Sequence, residues 1–437
     1  MKKLISSLVG ALALGACAYP YTPPALSSVT APAGPATGAL GATPTTAMQE
    51  RRQRITLLIS IDGFRPDYLD RGVTPVLSRL AAEGVTGPMR PSFPSKTFPN
   101  HWTLVTGKVP DRNGIVGNSM IDPRWPDESF TMATVAAKWW DEAEPIWVTA
   151  ERAGVRTATL FWPGSAVAWG AKEVDRREVG GVRPTDWWPF ADPITDEQRV
   201  RAIADWMRRP AAIRPQFVTL YFDEVDHAGH DAGPDSPEVN VAIAQVDAAL
   251  GALARDLAAL GQPTNVVIVA DHGMAATASD RVIALDTLLP VADARIVEQG
   301  SYASLEPATG RDAAVAAALL KPHPHMQCWR KGAIPARFRY GRNPRVPAYL
   351  CLAEPGWLVQ KSAPTKAFRG GNHGYDNDAA SMRALFIANG PAFVGGRRIA
   401  AFDNTAIAPL LRDLIGLPAG TDLDGDDRPF RGVLRRR

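Results

Sequence analysis

Three runs of apolar residues in this chain each stop on an acid. Ile55 to Ile61 leads to Asp62-Gly63, Gln216 to Phe222 leads to Asp223 through Asp226, and Asn265 to Ala270 leads to Asp271-His272-Gly273. Two further histidines stand in polar, glycine-containing stretches: His230 follows Asp226 by four residues, and His373 sits in Gly370-Gly371-Asn372-His373-Gly374. Carboxylate oxygens and imidazole nitrogens are both accepted by Zn²⁺. Asp62, Asp226, His230, Asp271, His272 and His373 are enough donors for two Zn²⁺ ions, and Thr97 adds a hydroxyl that bound cations would activate as a nucleophile. That combination points to phosphoryl-transfer chemistry.

Each residue alone has an ordinary explanation, since strand-end Asp residues are common turn and cap residues and loop histidines are common surface groups. Convergence is what carries weight: three strand ends and one late loop present Asp and His in a chain with only 7 histidines. Asp226 and His230 read as two ligands across a tight turn containing Gly229. His101 and His227 adjoin these motifs without an assigned role, and His323 and His325 read as loop residues. Thr97 lies in Pro94-Ser95-Lys96-Thr97-Phe98-Pro99-Asn100-His101, where Pro99 suits the first turn of a helix, so its hydroxyl belongs near a helix N-terminus that favours phosphate. Ser95 competes with Thr97 as nucleophile on residue type alone. Asn118, in Gly114 through Met120, is placed to donate its amide to a phosphate oxygen, or is simply a turn residue. Lys96 either reaches a phosphate or points to solvent.

The elements that must hold these residues alternate. Thr74-Pro75 opens a helix that Gly84 stops, and Ser236-Pro237-Glu238 opens a longer one closing at Gly261. Strands alternating with helices predict an α/β fold with a mostly parallel central sheet and helices on both faces, in which ligands gather outside the carboxyl ends of strands. Between His272 and His373 the pattern loosens into Pro, Arg and aromatic residues, predicting a smaller inserted subdomain at about 290–367 that caps or flanks the pocket. Alternation resumes at Arg383 to Ala388 and ends with a helix near Asn404 to Ile415, capped by Asn404 and followed by Gly416.

Composition fits a well-packed enzyme: 437 residues, 46% hydrophobic and 21% charged, with a net charge of +3 from nearly balanced acids and bases. No basic excess calls for a nucleic-acid partner, and nothing in the sequence indicates an oligomeric state. Met1-Lys2-Lys3 followed by the apolar stretch Leu4 to Leu14 reads as an export signal, and Leu14-Gly15-Ala16-Cys17 resembles the lipobox at which Cys17 would be acylated. Residues 1–17 are then a lipoprotein-type signal, 18–50 a flexible Pro/Ala/Thr-rich stalk, and 51–437 the catalytic domain. The protein is expected in the periplasm, anchored by lipid; Ala18 after Cys17 points to the outer membrane. In that oxidising space Cys328 and Cys351 are expected to form one disulfide.

Six separated motifs carry a resemblance. Ile61-Asp62-Gly63, Pro94 through His101, Gly117-Asn118-Ser119-Met120, Asp226-His227-Ala228-Gly229-His230, Ala270-Asp271-His272-Gly273-Met274 and Asn372-His373-Gly374-Tyr375-Asp376-Asn377 resemble, in order, those of the nucleotide pyrophosphatase/phosphodiesterase family. The resemblance implies an alkaline phosphatase-like fold and a zinc-dependent hydrolase that releases nucleoside 5′-monophosphates through a covalent threonine intermediate. It implies that Asp226, His230 and His373 hold one zinc and Asp62, Asp271, His272 and the Thr97 oxygen the other, with Thr97 preferred to Ser95. It places Asn118 on a phosphate oxygen and Phe98 against a nucleobase, with Trp187, Trp188 and Phe190 competing to complete the aromatic slot. Two other functions remain: a lipid-headgroup diesterase acting on glycerophosphodiesters or lysophospholipids, and a non-catalytic metal-binding surface lipoprotein.

Overall fold

The computed structural model describes residues 51–190 and 194–435. The signal, Cys17 and the stalk lie outside the described residues. Among the described residues no helix is long and apolar enough to cross a membrane.

An eight-stranded sheet organises the chain, in the spatial order Arg397–Arg398, Val85–Thr86, Phe386–Asn389, Thr264–Val269, Ile55–Ile61, Phe217–Phe222, Thr157–Leu160, Asp186–Trp188. Ile55–Ile61 is central and pairs in parallel with both neighbours, Thr56 opposite Phe217 on one side and Asn265 on the other. The pairing turns antiparallel at Phe386–Asn389, so the sheet is mixed, with a parallel centre. Every residue of Ile55–Ile61 and of Phe217–Phe222 is buried, as expected of strands covered on both faces. Because these strands run parallel in register, Asp62, Asp223 and Ala270 emerge at the same edge of the sheet.

Helices cover the sheet. Pro237–Ala259 packs against Asp196–Arg208, Glu224–Ala232 and Pro75–Glu83, while Thr97–Thr106 packs against Ile407–Ile415. Ser236 caps Pro237–Ala259 by accepting the Val239 N–H, as Ser before Pro and Glu predicts. Pro75–Glu83 starts at the predicted place, but its free amides are satisfied by Asp247, a buried acid on another helix that accepts from Val76 and Leu77. The predicted Asn404 cap is corrected. The final helix runs Ile407–Ile415 with Ala406 at its N-cap, and Asn404 is instead buried, accepting from Ser92 Oγ and donating to Asn100 Oδ1. Capping and burial compete for the same short amide, and here tertiary contacts prevailed.

A second, antiparallel sheet, Ala294–Glu298, Tyr302–Pro307, Tyr349–Ala353 and Met326–Arg330, has its own apolar cluster around Leu305, Val315, Leu319, Tyr349 and Val359. Cys328 and Cys351 are direct cross-strand partners in it and form a disulfide that closes a loop 23 residues apart. Loop-closure entropy at that length is worth about 3 kcal/mol. A Cys328→Ser/Cys351→Ser protein is therefore expected to melt several degrees lower by calorimetry with its initial rates at 25 °C unchanged; an unaltered melting temperature would count against this.

Candidate active site

At the carboxyl edge of the central strands three aspartates are buried together. Gly63, at φ +68°, lets the chain turn immediately after Asp62, and a Cβ there would lie 3.2 Å from the Asp226 backbone, so the close approach of these segments needs glycine. Asp226 and His230 are not on a turn, as the sequence reading had it: both lie on the helix Glu224–Ala232, whose i, i+4 spacing puts their side chains on one face with Nε2 3.5 Å from the carboxylate. Gly229 suits a helix here because Met274 packs where its side chain would be. Gly371 lets the Arg369–Asn372 strand pass that helix, since a Cβ would lie 2.5 Å from the Gly229 carbonyl oxygen, and so delivers His373 beside Asp226.

The three imidazoles are all oriented the same way. Nδ1 of His230, His272 and His373 lies 2.9, 3.0 and 2.9 Å from the carbonyls of Gly371, Gly273 and Ser95 respectively. A carbonyl only accepts, so each Nδ1 carries the proton and each Nε2 keeps a lone pair for the cluster. The carboxylates show a matching asymmetry. Asp62 Oδ2 accepts from the Tyr221 hydroxyl at 2.7 Å and Asp271 Oδ1 from the Gly63 N–H at 3.3 Å, whereas Asp62 Oδ1, Asp226 Oδ1 and Asp271 Oδ2 are buried without a hydrogen-bond donor. One ligand atom from each of Asp226, His272 and His373 lies within 4.8 Å of the others, and the same holds for Asp62, Asp271 and His272.

Electrostatics sharpens the picture. Burial, joined by the neighbouring acids, holds the Asp62 and Asp271 carboxyls well above the usual carboxylate range. Burial pushes His272 and His373 down, so both rings are neutral near pH 7. Concentrated carboxylates with unpartnered oxygens, facing neutral imidazole lone pairs, are costly unless a cation joins them. The donor set of carboxylate oxygen and imidazole nitrogen suits a divalent metal of the zinc type.

Thr97 begins the helix Thr97–Thr106, and its Oγ1 stands 3.3 Å from His272 Nε2. Ser95 is separated from it: buried, its hydroxyl donates to the Tyr375 carbonyl at 3.1 Å. Asn118 Oδ1 accepts the Phe98 N–H at 3.0 Å, satisfying a free amide of the helix start. Asp62, Thr97, Asn118, Asp226, His230 and His373 share a cavity of about 350 Å³ whose other walls are Met132, Phe161, Phe190, Arg199, Tyr221, Asp223 and His227. A larger cavity, about 730 Å³, opens beside Cys328 and Arg337; its acids are Glu354 and Asp376, and none of the converging groups lines it.

The chain matches the model of the family described as type I phosphodiesterase/nucleotide pyrophosphatase over residues 56–376. It belongs to that family. Ectonucleotide pyrophosphatase/phosphodiesterase family member 5 of Homo sapiens is 35% identical over 387 residues, covering 87% of this chain and 78% of the relative. A bis(5′-adenosyl)-triphosphatase of Xenopus laevis is 35% identical over 365 residues, covering 83% and 77%. Among solved structures, the inactive threonine-to-alanine variant of the murine family member 5, in complex with AMP, superposes with a TM-score of 0.82 at 34% identity, covering 88% of this chain and 100% of that one.

Some residues in and around this family member's cavity have no role that the sequence assigns, and others sit differently from what it suggests. Tyr221 comes from the middle of an apolar strand, yet its hydroxyl grips Asp62. His101, one turn after Thr97, is buried with Nδ1 2.8 Å from the Thr97 carbonyl and Nε2 2.8 Å from Ser60 Oγ; burial holds it down to about 3, a neutral wedge under Asp271. Arg199 lines the cavity but is answered by acids, its Nη1 2.8 Å from Asp223 Oδ1 and within 4.0 Å of Asp196 and Glu224. Lys96 is buried behind the site, its ammonium 6.0 Å from the Tyr302 ring centre, and is not a cavity wall. Phe98 is buried edge-to-face against Phe190, 4.9 Å away, and the aromatic walls of the cavity are Phe190, Tyr221 and Phe161, the last with the Arg199 guanidinium over its ring; Trp188 packs on Phe161 from outside.

Proposed function

We propose that this phosphodiesterase is an exported, membrane-tethered, zinc-dependent hydrolase that cleaves phosphodiester and pyrophosphate bonds of nucleotides, releasing nucleoside 5′-monophosphates through a covalent intermediate on Thr97. The observation that carries the reading is the set of three buried carboxylates, each with an unpartnered oxygen, facing imidazole lone pairs beside the Thr97 hydroxyl. The murine relative bound to AMP and the frog relative named for diadenosine triphosphate support nucleotides as the substrate class.

Asp226, His230 and His373 would hold one ion, and Asp62, Asp271, His272 and the Thr97 oxygen the other. When bound, the ions supply the positive charge that lowers the pKa of the attacking hydroxyl and offsets charge gathering on the phosphate and leaving oxygens. The rest belongs to the chain. Thr97 Oγ1 attacks phosphorus in line, the alcohol or phosphate leaves on the far side, and water later attacks phosphorus from the vacated side to free Thr97. Two inversions give net retention. Asn118, its oxygen engaged by Phe98 N–H, has its amide N–H groups left for a non-bridging phosphate oxygen. Phe190 offers its ring to a base. Arg199 is paired with acids and brings no free charge for the third oxygen of a monoester, which favours diesters.

Steady-state kinetics on one preparation, with a nucleotide diester, a nucleoside monophosphate and glycerophosphocholine as substrates, tests the reading. Nucleotide turnover is expected to dominate; preference for glycerophosphocholine would replace nucleotides by lipid headgroups, and no hydrolysis would leave only metal binding. Phe190→Ala is expected to raise KM for a nucleotide diester roughly 10-fold while hardly changing it for bis(p-nitrophenyl) phosphate, in line with about 1 to 3 kcal/mol per stacked base. Equal effects on both substrates would deny Phe190 a role at the base.

A further inference from the structure

The side chain of Asn118 can serve a phosphate only if its loop is held, and residues 114–119 belong to no strand or helix. What holds them comes from the antiparallel sheet. Ala294–Glu298 pairs with Tyr302–Pro307 up to Ile296 opposite Leu305, and then slips, with Glu298 opposite Ser304. That β-bulge redirects Glu298, as bulges beside active sites do. Its Oε2 accepts the Ser119 N–H at 3.1 Å, 179 residues away in sequence, and the Asn118 N–H and the Tyr302 hydroxyl also point at the carboxylate. Gly117 closes the loop onto it: a Cβ there would lie 2.8 Å from Glu298 Oε2. The same turn continues to Ser301, whose hydroxyl donates to the His373 carbonyl at 2.6 Å.

We propose that Glu298 is a positioning residue of the hydrolytic site: its carboxylate collects the backbone donors of Asn118 and Ser119 and so fixes the angle at which the Asn118 amide meets the phosphate. The inference rests on the reading of Asn118 given above. Without Glu298 the loop keeps the Phe98 contact but loses its anchor, and the half-buried N–H groups of Asn118 and Ser119 are left to find water. A displacement of about 1 Å at a catalytic donor costs up to roughly 100-fold in rate. The loss belongs mainly in kcat, because the rest of the cavity still binds substrate.

A double-mutant cycle on the full-length protein, with bis(p-nitrophenyl) phosphate as substrate, decides the matter. Glu298→Ala is expected to lower kcat by roughly 10- to 100-fold with KM changed less than about 3-fold, Glu298→Gln to recover most of the loss because its amide oxygen still accepts, and Asn118→Ala/Glu298→Ala to be no slower than Asn118→Ala alone. Hydrogen–deuterium exchange should rise over residues 114–120 in Glu298→Ala and Glu298→Asp. Wild-type kcat in Glu298→Ala, or losses that multiply in full in the double variant, would overturn the proposal. If Glu298→Ala does not fold, Glu298→Gln and Glu298→Asp carry the same cycle, with the aspartate the impaired member. An Asn118→Ala enzyme as fast as wild type would instead sink the placing of Asn118 at the phosphate, and with it the reading on which this inference stands.

Discussion

Thr97→Ala is expected to abolish hydrolysis, with kcat for a nucleotide diester falling at least roughly 10⁴-fold, the scale on which enzymes lose rate when the nucleophile is removed. Thr97 opens a buried helix, and its Oγ1 faces His272 inside the cavity. Removing a hydroxyl from that place takes away the atom that bonds to phosphorus and leaves Asn118 and the cavity walls intact. AMP should therefore still bind, with an affinity within about an order of magnitude of the wild-type value by calorimetry, since only one contact of many is lost. Ser95 is not placed to take over, because its buried hydroxyl donates to the Tyr375 carbonyl and does not line the cavity. Thr97→Ala protein that turned over at more than about a hundredth of the wild-type rate would remove the threonine intermediate from consideration.

Stripping the metal is expected to abolish activity and to destabilise the fold in a pH-dependent way whose sign is fixed by the buried acids. Asp62 and Asp271 have carboxyls raised above their values in an unfolded chain. A raised acid contributes stability that is present below the ordinary carboxylate value, about 3.9, and is lost as pH rises through the folded value. His272 and His373 are lowered, so their contribution is present above about 6.5 and is lost as pH falls toward the folded value. Bound cations reverse the penalty on the acids, because ligands must be deprotonated to bind. The gain in melting temperature on loading with Zn²⁺ is therefore expected to be larger at pH 8 than at pH 5, and an ion at 100 times its dissociation constant adds about 2.7 kcal/mol per site. Full hydrolytic power after exhaustive chelation, or a zinc-induced shift equal at both pH values, would contradict a metal in this cluster.

The parts of this molecule that were readable in advance are those where a local pattern and a global role coincide. Ile55–Ile61 reads as a doubly covered strand because nothing polar interrupts it, and the acid after it reads as a site residue because a parallel sheet collects ligands there. Ser236 reads as a cap because Pro and Glu follow. Where two local solutions compete, sequence alone misleads. Asp226 to His230 fits both a turn and one turn of helix, and the glycine between them favoured the turn until Met274 supplied a packing reason for it. Asn404 has the chemistry of a cap and was drawn inward by Ser92 and Asn100. Lys96 beside the nucleophile suggested a phosphate contact, but alternate side chains at a helix start diverge, and this one lies buried near Tyr302. Tyr221, Arg199 and Glu298 left no trace at all, because each acts through a partner more than 20 positions away that only the fold reveals.

The converging ligands come from positions 62, 226, 271 and 373, each separated from the next by tens to more than a hundred residues. No short stretch of the nascent polypeptide therefore contains the whole cluster; the pairs Asp226 with His230 and Asp271 with His272 are the largest pieces present before long-range pairing is complete. Loop closure over such spans is slow compared with helix formation. Tight ion uptake must then trail the last of these closures, so the appearance of a chelator-resistant ion during refolding would time the completion of the whole architecture.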